Sequence, residues 1–343
     1  MTAVIAIRAR CIRSGDPRHC YPCPRWATLN TMNPEVAVPP PSAPAPAVPS
    51  GVPYHRVLAG EQRRIGRGIA ALVLLVVGLF LFGTVIGLLG TSIDEALGRD
   101  SLAGGGGGGF TPAFQAANLV AIALLVPWSM LVQRWLYGVP GASLHSVRSL
   151  FRLDVFARAL LVIGPVWVVY TVVFFVLSPG VEAPWKLSDL LWLFLVVLLL
   201  TPLQAAGEEY GLRGLAFRVA ASWGRGPRVA LCIGVTVSSL LFAVIHFSTD
   251  PWLNLYYLTF GATLALIAWR TGGLETGVVI HALNNTLVFL LALVAHADLT
   301  DAFDRQAGVG SIIMLVPCAL LAAVTAVVWL RTRRTGPALT PVS

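Results

Sequence analysis

The sequence predicts an all-α membrane protein, a polytopic bundle of about eight transmembrane helices. Hydrophobic residues make up 56% of the 343 residues and charged residues only 12%, whereas about a quarter of the residues in soluble domains are charged. The apolar residues come in long blocks, and about 20 of them in a row span the hydrocarbon layer as a helix. The shorter, alternating segments of a membrane β-barrel are not seen. We therefore expect a multi-pass protein of the cell membrane, in contact with membrane lipids.

About eight apolar segments are long enough to cross the membrane. A glycine run, Gly104–Gly109, lies between the first two and is predicted to be a flexible loop. The segments run approximately Ile69–Gly90, Asn118–Leu136, Ala159–Leu177, Leu187–Ala206, Val229–Phe247, Leu255–Trp269, Val278–Ala295 and Ile312–Leu330.

Four parts are predicted along the chain. Residues 1–55 contain no long apolar run and are rich in Pro and Ala, so we expect a disordered cytoplasmic tail. Residues 56–184 form the N-terminal transmembrane helices, residues 185–295 a core that holds most of the intramembrane polar groups, and residues 296–343 a last helix with a basic tail. Met32 precedes a more ordinary tail, so residues 1–31 are predicted to come from a start codon assigned too early, which N-terminal mass spectrometry would test.

The loop charges predict the orientation, because the loops of membrane proteins that face the cytoplasm are enriched in Arg and Lys. One set of alternate loops is rich in arginine and the other in acidic residues, which places both termini in the cytoplasm. The arginines counted are Arg56, Arg63, Arg64, Arg67, Arg134, Arg148, Arg152, Arg158, Arg213, Arg218, Arg225, Arg228, Arg270, Arg331, Arg333 and Arg334. The acidic residues of the other loops are Asp94, Glu95, Asp100, Glu182, Asp250, Asp298, Asp301 and Asp304.

The net charge of +8 is explained by these loops. The basic residues lie next to the expected anionic headgroups, and no basic, aromatic-rich domain is present. We therefore expect no nucleic-acid partner.

Two adjacent glutamates end the fourth apolar segment. A charged side chain at mid-membrane costs roughly 2.5–3.5 kcal/mol on insertion scales, so such a residue is a functional candidate. On a helix, Glu208 and Glu209 point about 100° apart and are expected to have different roles. Glu209 and Arg213 stand at the spacing of a helical ion pair, which leaves Glu208 facing elsewhere. The alternative is a helix end that carries charges at the cytoplasmic surface.

Two histidines and an asparagine complete the polar content of this region. His246 closes the fifth segment, with Phe242 one turn before it on the same face. His281 opens the seventh segment, with Asn285 one turn later. Each of these residues alone is explained by hydrogen bonding at the interface or between helices. Together with Glu208 they supply a set of groups that can carry out hydrolysis.

Two mechanisms fit this set. A carboxylate in an apolar cavity binds protons more readily and can take one from water, while His and Asn donors stabilise an oxyanion. Alternatively, Glu208, His246 and His281 match His₂Glu ligation of zinc or another divalent metal, which leaves a position open for water. Both mechanisms remain open at this point.

The motifs resemble those of the CPBP (CAAX protease and bacteriocin-processing, or Abi) family, which is related to the Ras-converting CAAX endopeptidases. The chain reads E-E-x-x-x-R at Glu208–Arg213, F-x-x-x-H at Phe242–His246 and H-x-x-x-N at His281–Asn285. Each pattern is weak alone, but the three in order, each at the edge of an apolar block, are specific. The resemblance covers about residues 185–295.

This resemblance implies an intramembrane metalloendopeptidase with a cavity reached from the cytoplasm. Glu208 with His246 would activate the attacking water, and His281 and Asn285 would complete the site as ligands or oxyanion donors. Glu209, Arg213 and Phe242 would shape it. The substrates implied are membrane-associated peptides or proteins, of the lipidated CAAX type or similar to bacteriocin precursors.

The predicted depths of these residues conflict. With straight helices, Glu208 and His281 lie towards the cytoplasmic side and His246 near the opposite face. They can meet only if the fourth helix reaches deeper than Ala206 or the fifth is tilted, kinked or displaced.

Other classes of intramembrane protease lack their motifs here. H-E-x-x-H is absent, no Asp lies inside an apolar segment, and G-x-S-G is absent. The alternative is a transporter, or an immunity or scaffold protein, that uses the same polar cluster for binding. Transporters often show repeated halves, whereas this chain has no clear repeat and its polar cluster lies in one half.

Overall fold

The protein is an all-α bundle in a computed structural model that describes residues 48–99, 110–178, 180–302 and 304–342. Helices account for 73% of the described residues, which contain no β-strand. Eight described helices are long and apolar enough to cross a membrane, which confirms the predicted fold class. They are α1 Ile65–Ala96, α2 Pro112–Tyr137, α3 Leu153–Leu177, α4 Leu187–Ala221, α5 Pro227–Val244, α6 Pro251–Thr271, α7 Glu275–Val294 and α8 Ile312–Thr332.

Helices α4 and α7 form the centre of the bundle. They pack against each other, α2 packs on α4, and α3 packs on α7. The most apolar stretch of α7 is 44% buried, whereas that of α8 is 11% buried. The peripheral helices expose their apolar side chains, as expected for surfaces that face lipid. Polar groups on α4 and α7 are therefore shielded by the other helices.

Helix α4 extends 15 residues beyond the predicted end of the fourth segment, from Ala206 to Ala221. The residues Leu187–Glu208 are α-helical, Glu209–Ala216 form a π-helix, and Phe217–Ala221 return to the α form. Prediction placed the end too early because charged residues lower the hydropathy of this stretch. Arg213 and Arg218 were predicted above to be loop charges. That prediction is wrong, because both side chains belong to α4 and are fully buried.

Arg218 is buried against the residues that precede α1. The ring of Tyr54 stacks under the guanidinium at 3.8 Å, and the main-chain oxygen of Ser143 accepts a hydrogen bond from Arg218 Nη2 at 2.7 Å. Tyr54 donates to Leu144 O at 2.6 Å. Residues 48–55, the described end of the predicted disordered tail, are thus packed on the bundle.

The described ends of the chain pair with each other at one end of the bundle. Thr340 N donates to Val52 O at 2.9 Å, and Gly51 N donates to Thr340 O at 3.1 Å. This pairing agrees with an even number of crossings. The predictions for residues 1–47, including residues 1–31, and for Gly104–Gly109 lie outside the described residues.

Candidate active site

Glu209 lies at the start of the π-helical part of α4 and is completely buried. Its Oε1 pairs with Arg213 Nη1 at 3.1 Å, the ion pair expected from their spacing. The same oxygen accepts a hydrogen bond from His281 Nδ1 at 2.8 Å. Glu209 therefore holds the imidazole of α7 and partly neutralises a buried cation.

Aromatic rings enclose this ion pair. The guanidinium of Arg213 lies 4.0 Å from the centre of the Phe242 ring, and Phe242 stacks on Phe260 at 5.5 Å. The edge of Phe260 also contacts the His281 ring at 4.9 Å. A cation over an aromatic face is stabilised by the ring quadrupole. The side chains predicted to shape the site are thus in contact with one another.

Glu208 faces away from this ion pair. Its Oε1 accepts a hydrogen bond from Gln204 Nε2 at 2.5 Å. Its Oε2 is buried, makes no hydrogen bond to any described group, and lies 3.6 Å from His281 Nε2. The two glutamates therefore approach opposite nitrogens of one imidazole, and they have different environments, as their orientation on the helix predicts.

Asn285 reaches Glu208 only through an intermediate side chain. Its Nδ2 donates to Gln204 Oε1 at 3.2 Å, and Gln204 in turn donates to Glu208. The resulting chain of amides runs from α7 to the carboxylate. Gln204 was missed by the sequence analysis, although it lies four residues before Glu208 on the same face of α4.

His246 lies in the turn after α5, two residues beyond the end of the helix. Its Nδ1 donates to Phe242 O at 2.6 Å, which fixes the tautomer with an unprotonated Nε2 because a carbonyl can only accept. The ring stacks on Tyr257 at 4.1 Å. Burial lowers the pKa of His246 to about 4, so the imidazole is neutral at neutral pH.

A cavity of about 150 Å³ brings Glu208 and His246 together. It lies between α1, α2, α4 and α5, and Arg305 from the loop before α8 lines it as well. Its walls are otherwise aliphatic: Leu75, Val76, Leu79, Ile122, Leu125, Leu212, Leu241 and Ile245. A few polar groups between aliphatic walls are the lining expected of a ligand site.

The length of α4 accounts for the conflict in depth. Because this helix continues to Ala221, Glu208 lies 13 residues from its end and well inside the bundle. His246, beyond the end of α5, then borders the same cavity. His246 and Arg305 line the cavity from the end of the bundle opposite the paired ends of the chain, whereas Leu75, Val76 and Leu79 line it from the first half of α1.

The arrangement does not fit the three-ligand metal site. The Nδ1 hydrogen bonds of His281 and His246 leave both Nε2 atoms free to bind a metal ion, so the obstacle is the spacing of the three side chains. Across the described part of the chain, no three His, Cys, Asp or Glu side chains come close enough together to share a metal ion. Zinc sites need at least three such protein ligands. We therefore derive no step through a metal ion bound to Glu208, His246 and His281.

Comparison with known proteins identifies the same part of the chain. Residues 187–287 match the family model described as Rce1-like, type II CAAX prenyl endopeptidase Rce1-like. An uncharacterized protein of Bacillus subtilis (strain 168), YyaK, is 32% identical over 104 residues, which cover 29% of this chain and 33% of that protein. The chain thus matches about a third of the length of this relative. No solved structure matches. The segment from α4 to α7, which carries the glutamates and both histidines, is therefore similar to the CAAX endopeptidases of the Rce1-like family.

Proposed function

We propose that the protein is an intramembrane endopeptidase that hydrolyses peptide bonds by means of water activated at Glu208. The observation that carries this proposal is the Oε2 atom of Glu208, which is buried, lacks a hydrogen-bond partner among the described groups, and belongs to a cavity lined by a second base, His246. A buried carboxylate oxygen without a partner is costly. The buried position of Glu208 Oε2 is explained if water or a substrate supplies its hydrogen-bond partner.

The reaction follows from the two faces of Glu208. Gln204 fixes one oxygen, and the other takes a proton from water as the water oxygen attacks the scissile carbonyl carbon. The tetrahedral intermediate collapses when the C–N bond breaks, and Glu208 returns the proton to the leaving nitrogen. General base catalysis of this kind contributes typically 10²–10⁴-fold.

The histidines assist at opposite sides of the carboxylate. The unprotonated Nε2 of His246 can accept a hydrogen bond from the attacking water and orient it. His281, held through Nδ1 by Glu209, presents Nε2 towards Glu208 and the reacting atoms, where its protonated form would donate to the oxyanion. Asn285 acts on Glu208 through Gln204 in this arrangement.

The substrates proposed are membrane-associated peptides or proteins, either lipidated and of the CAAX type or similar to bacteriocin precursors. The site lies among membrane-spanning helices and its walls are aliphatic. Peptides that are anchored in the bilayer reach such a cavity without first passing through water. The family match supports a CAAX-type protease in general.

We also propose an orientation with both termini in the cytoplasm. The arginine-rich loops and the paired chain ends lie at one end of the bundle, and the positive-inside rule assigns that end to the cytoplasm. His246 and Arg305 line the cavity from the other end. Substrates would then approach from the extracytoplasmic side, in contrast to the access from the cytoplasm that the family resemblance implied.

A comparison of cleavage products tests the hydrolytic function. Membranes from cells that produce the wild-type protein or Glu208→Gln are compared for new N-termini of membrane proteins. Termini made by this enzyme should be lost in Glu208→Gln, because an amide cannot take a proton from water, and also in His246→Ala and His281→Ala.

Glu95→Gln is the matched control, since Glu95 is exposed at the end of α1. It should retain the cleavage products of the wild type. The proposal is wrong if no new N-terminus depends on Glu208 while Glu208→Gln and Glu95→Gln accumulate in the membrane at equal levels.

A further inference from the structure

Arg305 belongs to the cavity but lies outside the segment that matches the family. It comes from the loop between α7 and α8. Its main-chain oxygen accepts hydrogen bonds from Thr249 N at 2.9 Å and Ser248 Oγ at 3.2 Å. The loop that carries Arg305 is therefore tied to the loop that carries His246.

Only some of the N–H donors of the Arg305 guanidinium make hydrogen bonds within the protein. Its Nη1 donates to His246 O at 3.0 Å, and the side chain lies close to Tyr257. A guanidinium has five N–H donors in a planar fork. Donors therefore remain for a ligand in the cavity.

Arg305 forms no ion pair with any residue that the structure describes, unlike Arg152, Arg158 and Arg213. Two nearby acids, Asp304 on the same loop and Asp250 on the neighbouring loop, accept hydrogen bonds from main-chain N–H groups. Asp304 accepts from Gln306 N, and Asp250 accepts from the main-chain N–H groups of Trp252, Leu253, Gly308 and Gly310. None of the carboxylates that the structure describes forms an ion pair with Arg305.

Arg305 is half-buried at the edge of an apolar cavity, where an anion would stabilise its charge. Glu208 lines the same cavity, and the two side chains do not form an ion pair. A ligand that spans this cavity would place an anion at Arg305 and a peptide bond at Glu208. The anion that best fits the planar fork is a carboxylate, which a guanidinium can bind through two parallel hydrogen bonds.

We propose that Arg305 binds a carboxylate of the peptide substrate and so selects peptides that carry a negative charge near the scissile bond. The proposal rests on the peptide-hydrolysing function proposed above. The carboxylate comes either from the C-terminus of the peptide or from an acidic side chain, and the two sources are separated by the choice of probe.

Binding to the Glu208→Gln protein in lipid nanodiscs tests the proposal without any need for cleavage. Three fluorescent, N-palmitoylated hexapeptides serve as probes: one with a free C-terminal carboxylate, one amidated, and one amidated with aspartate at the fifth position. We expect the free acid or the aspartate peptide to bind about ten- to a hundredfold more tightly than the uncharged amide. Whichever of them does so identifies the source of the carboxylate.

Arg305→Gln in this background should reduce the affinity for the charged peptide to that for the amide. Arg305→Lys should retain part of the preference, because a lysine keeps the charge but not the fork. Arg99→Gln is the matched control, since Arg99 lies at the same end of the bundle and pairs with Asp189 at 3.0 Å, outside the cavity. It should leave the preference unchanged.

The proposal is overturned if the charged and uncharged peptides bind equally, or if Arg305→Gln keeps the discrimination. An equal loss of affinity for all three peptides would also overturn it, because that result indicates a structural role in tying the loops together. A charge preference that depends on Arg305, in a protein that cleaves nothing, would support this site while the hydrolytic proposal fails.

Discussion

The Glu208 carboxylate is held by an amide chain that begins on a different helix. Gln204 donates to one of its oxygens, and Asn285 on α7 donates to Gln204. A hydrogen bond to a charged group contributes about 1.5–3 kcal/mol. The chain therefore fixes which oxygen of Glu208 is free to accept a proton.

Substitutions in this chain should not be additive. Gln204→Ala removes the group that contacts Glu208 and should lower kcat about 10- to 100-fold. Asn285→Ala should lower it less, because Gln204 remains. The double variant should be no slower than Gln204→Ala, since Asn285 acts only through Gln204.

Initial rates on one cleaved peptide measure this cycle. Multiplicative losses in the double variant would instead indicate that Asn285 contacts the substrate directly, as an oxyanion donor does.

The ligand geometry leads to a prediction about metal removal. Because no three potential ligands converge among the described residues, we expect dialysis against a strong chelator such as EDTA to leave the cleavage rate unchanged. Metal analysis of the purified, active protein should give well under one bound zinc per chain. Loss of activity on chelation and its recovery with zinc would contradict this and would indicate that His246 and His281 rearrange around the ion.

The motif residues could be selected from the sequence because they are polar groups within apolar blocks. A polar group in the membrane is costly, so each of them is a functional candidate. Gln204 and Arg305 could not. Gln204 is uncharged and looks like an ordinary helix residue until Glu208 is known to contact it. Arg305 lies in a polar loop, 59 residues from the His246 carbonyl to which it donates, so no local pattern marks it.

At the scale of the element, α4 determines the geometry of the site. The sequence analysis ended this helix at Ala206 because the next residues include two glutamates and two arginines. Inside the bundle Glu209 pairs with Arg213 and accepts from His281, and Arg218 donates to Ser143 and lies over the ring of Tyr54. Hydropathy gives the cost of burying each residue alone and does not include the contacts between the charged residues. The end of α4 and the depth of Glu208 could therefore be found only from the structure.

Gly207 allows α4 to approach α2 directly beside Glu208. A Cβ atom at this position would lie 2.1 Å from Ile122 O. Main-chain atoms of α2 cannot move aside as a flexible side chain can, so Gly207→Ala should push the two helices apart and displace Glu208. We expect a loss of stability of about 1–3 kcal/mol, as for other overpacked cores, and a fall in cleavage of at least tenfold.

Gly83→Ala provides the comparison, since no atom lies within 4 Å of a Cβ placed there on α1. Thermal unfolding in detergent and the cleavage rate are measured for both variants. If Gly207→Ala behaves like Gly83→Ala, the close packing of α2 on α4 does not position the glutamate.

At the scale of the whole molecule, the relation of the cavity to the chain ends determines which substrates can reach it. Helix α5 begins next to the α4–α5 loop, where Arg56 Nη1 donates to Gly224 O at 3.0 Å, and ends before His246 at the other end of the bundle. Arg305 lies at that end as well. Two residues that line the cavity, His246 and Arg305, therefore lie at the end opposite to the termini, and we expect the cavity to open to that side.

Cysteine labelling measures this orientation independently of hydrolysis. Val309, in the loop that carries Arg305, is 48% exposed, and Leu339, beside the N-terminal segment, is 50% exposed. In a background without the native cysteines, a membrane-impermeant maleimide should label Val309→Cys in intact cells. It should label Leu339→Cys only after the cells are permeabilised.

Because the two positions are equally exposed, a difference in labelling reports the side of the membrane and not the burial of the residue. The expected result would direct the search for substrates to exported, membrane-anchored peptides, since a bilayer-embedded site is reached only from the side to which its cavity opens. The opposite labelling would place the cavity towards the cytoplasm, where lipidated C-terminal peptides lie. It would also make this chain an exception to the positive-inside rule, because its arginine-rich loops would then be extracytoplasmic.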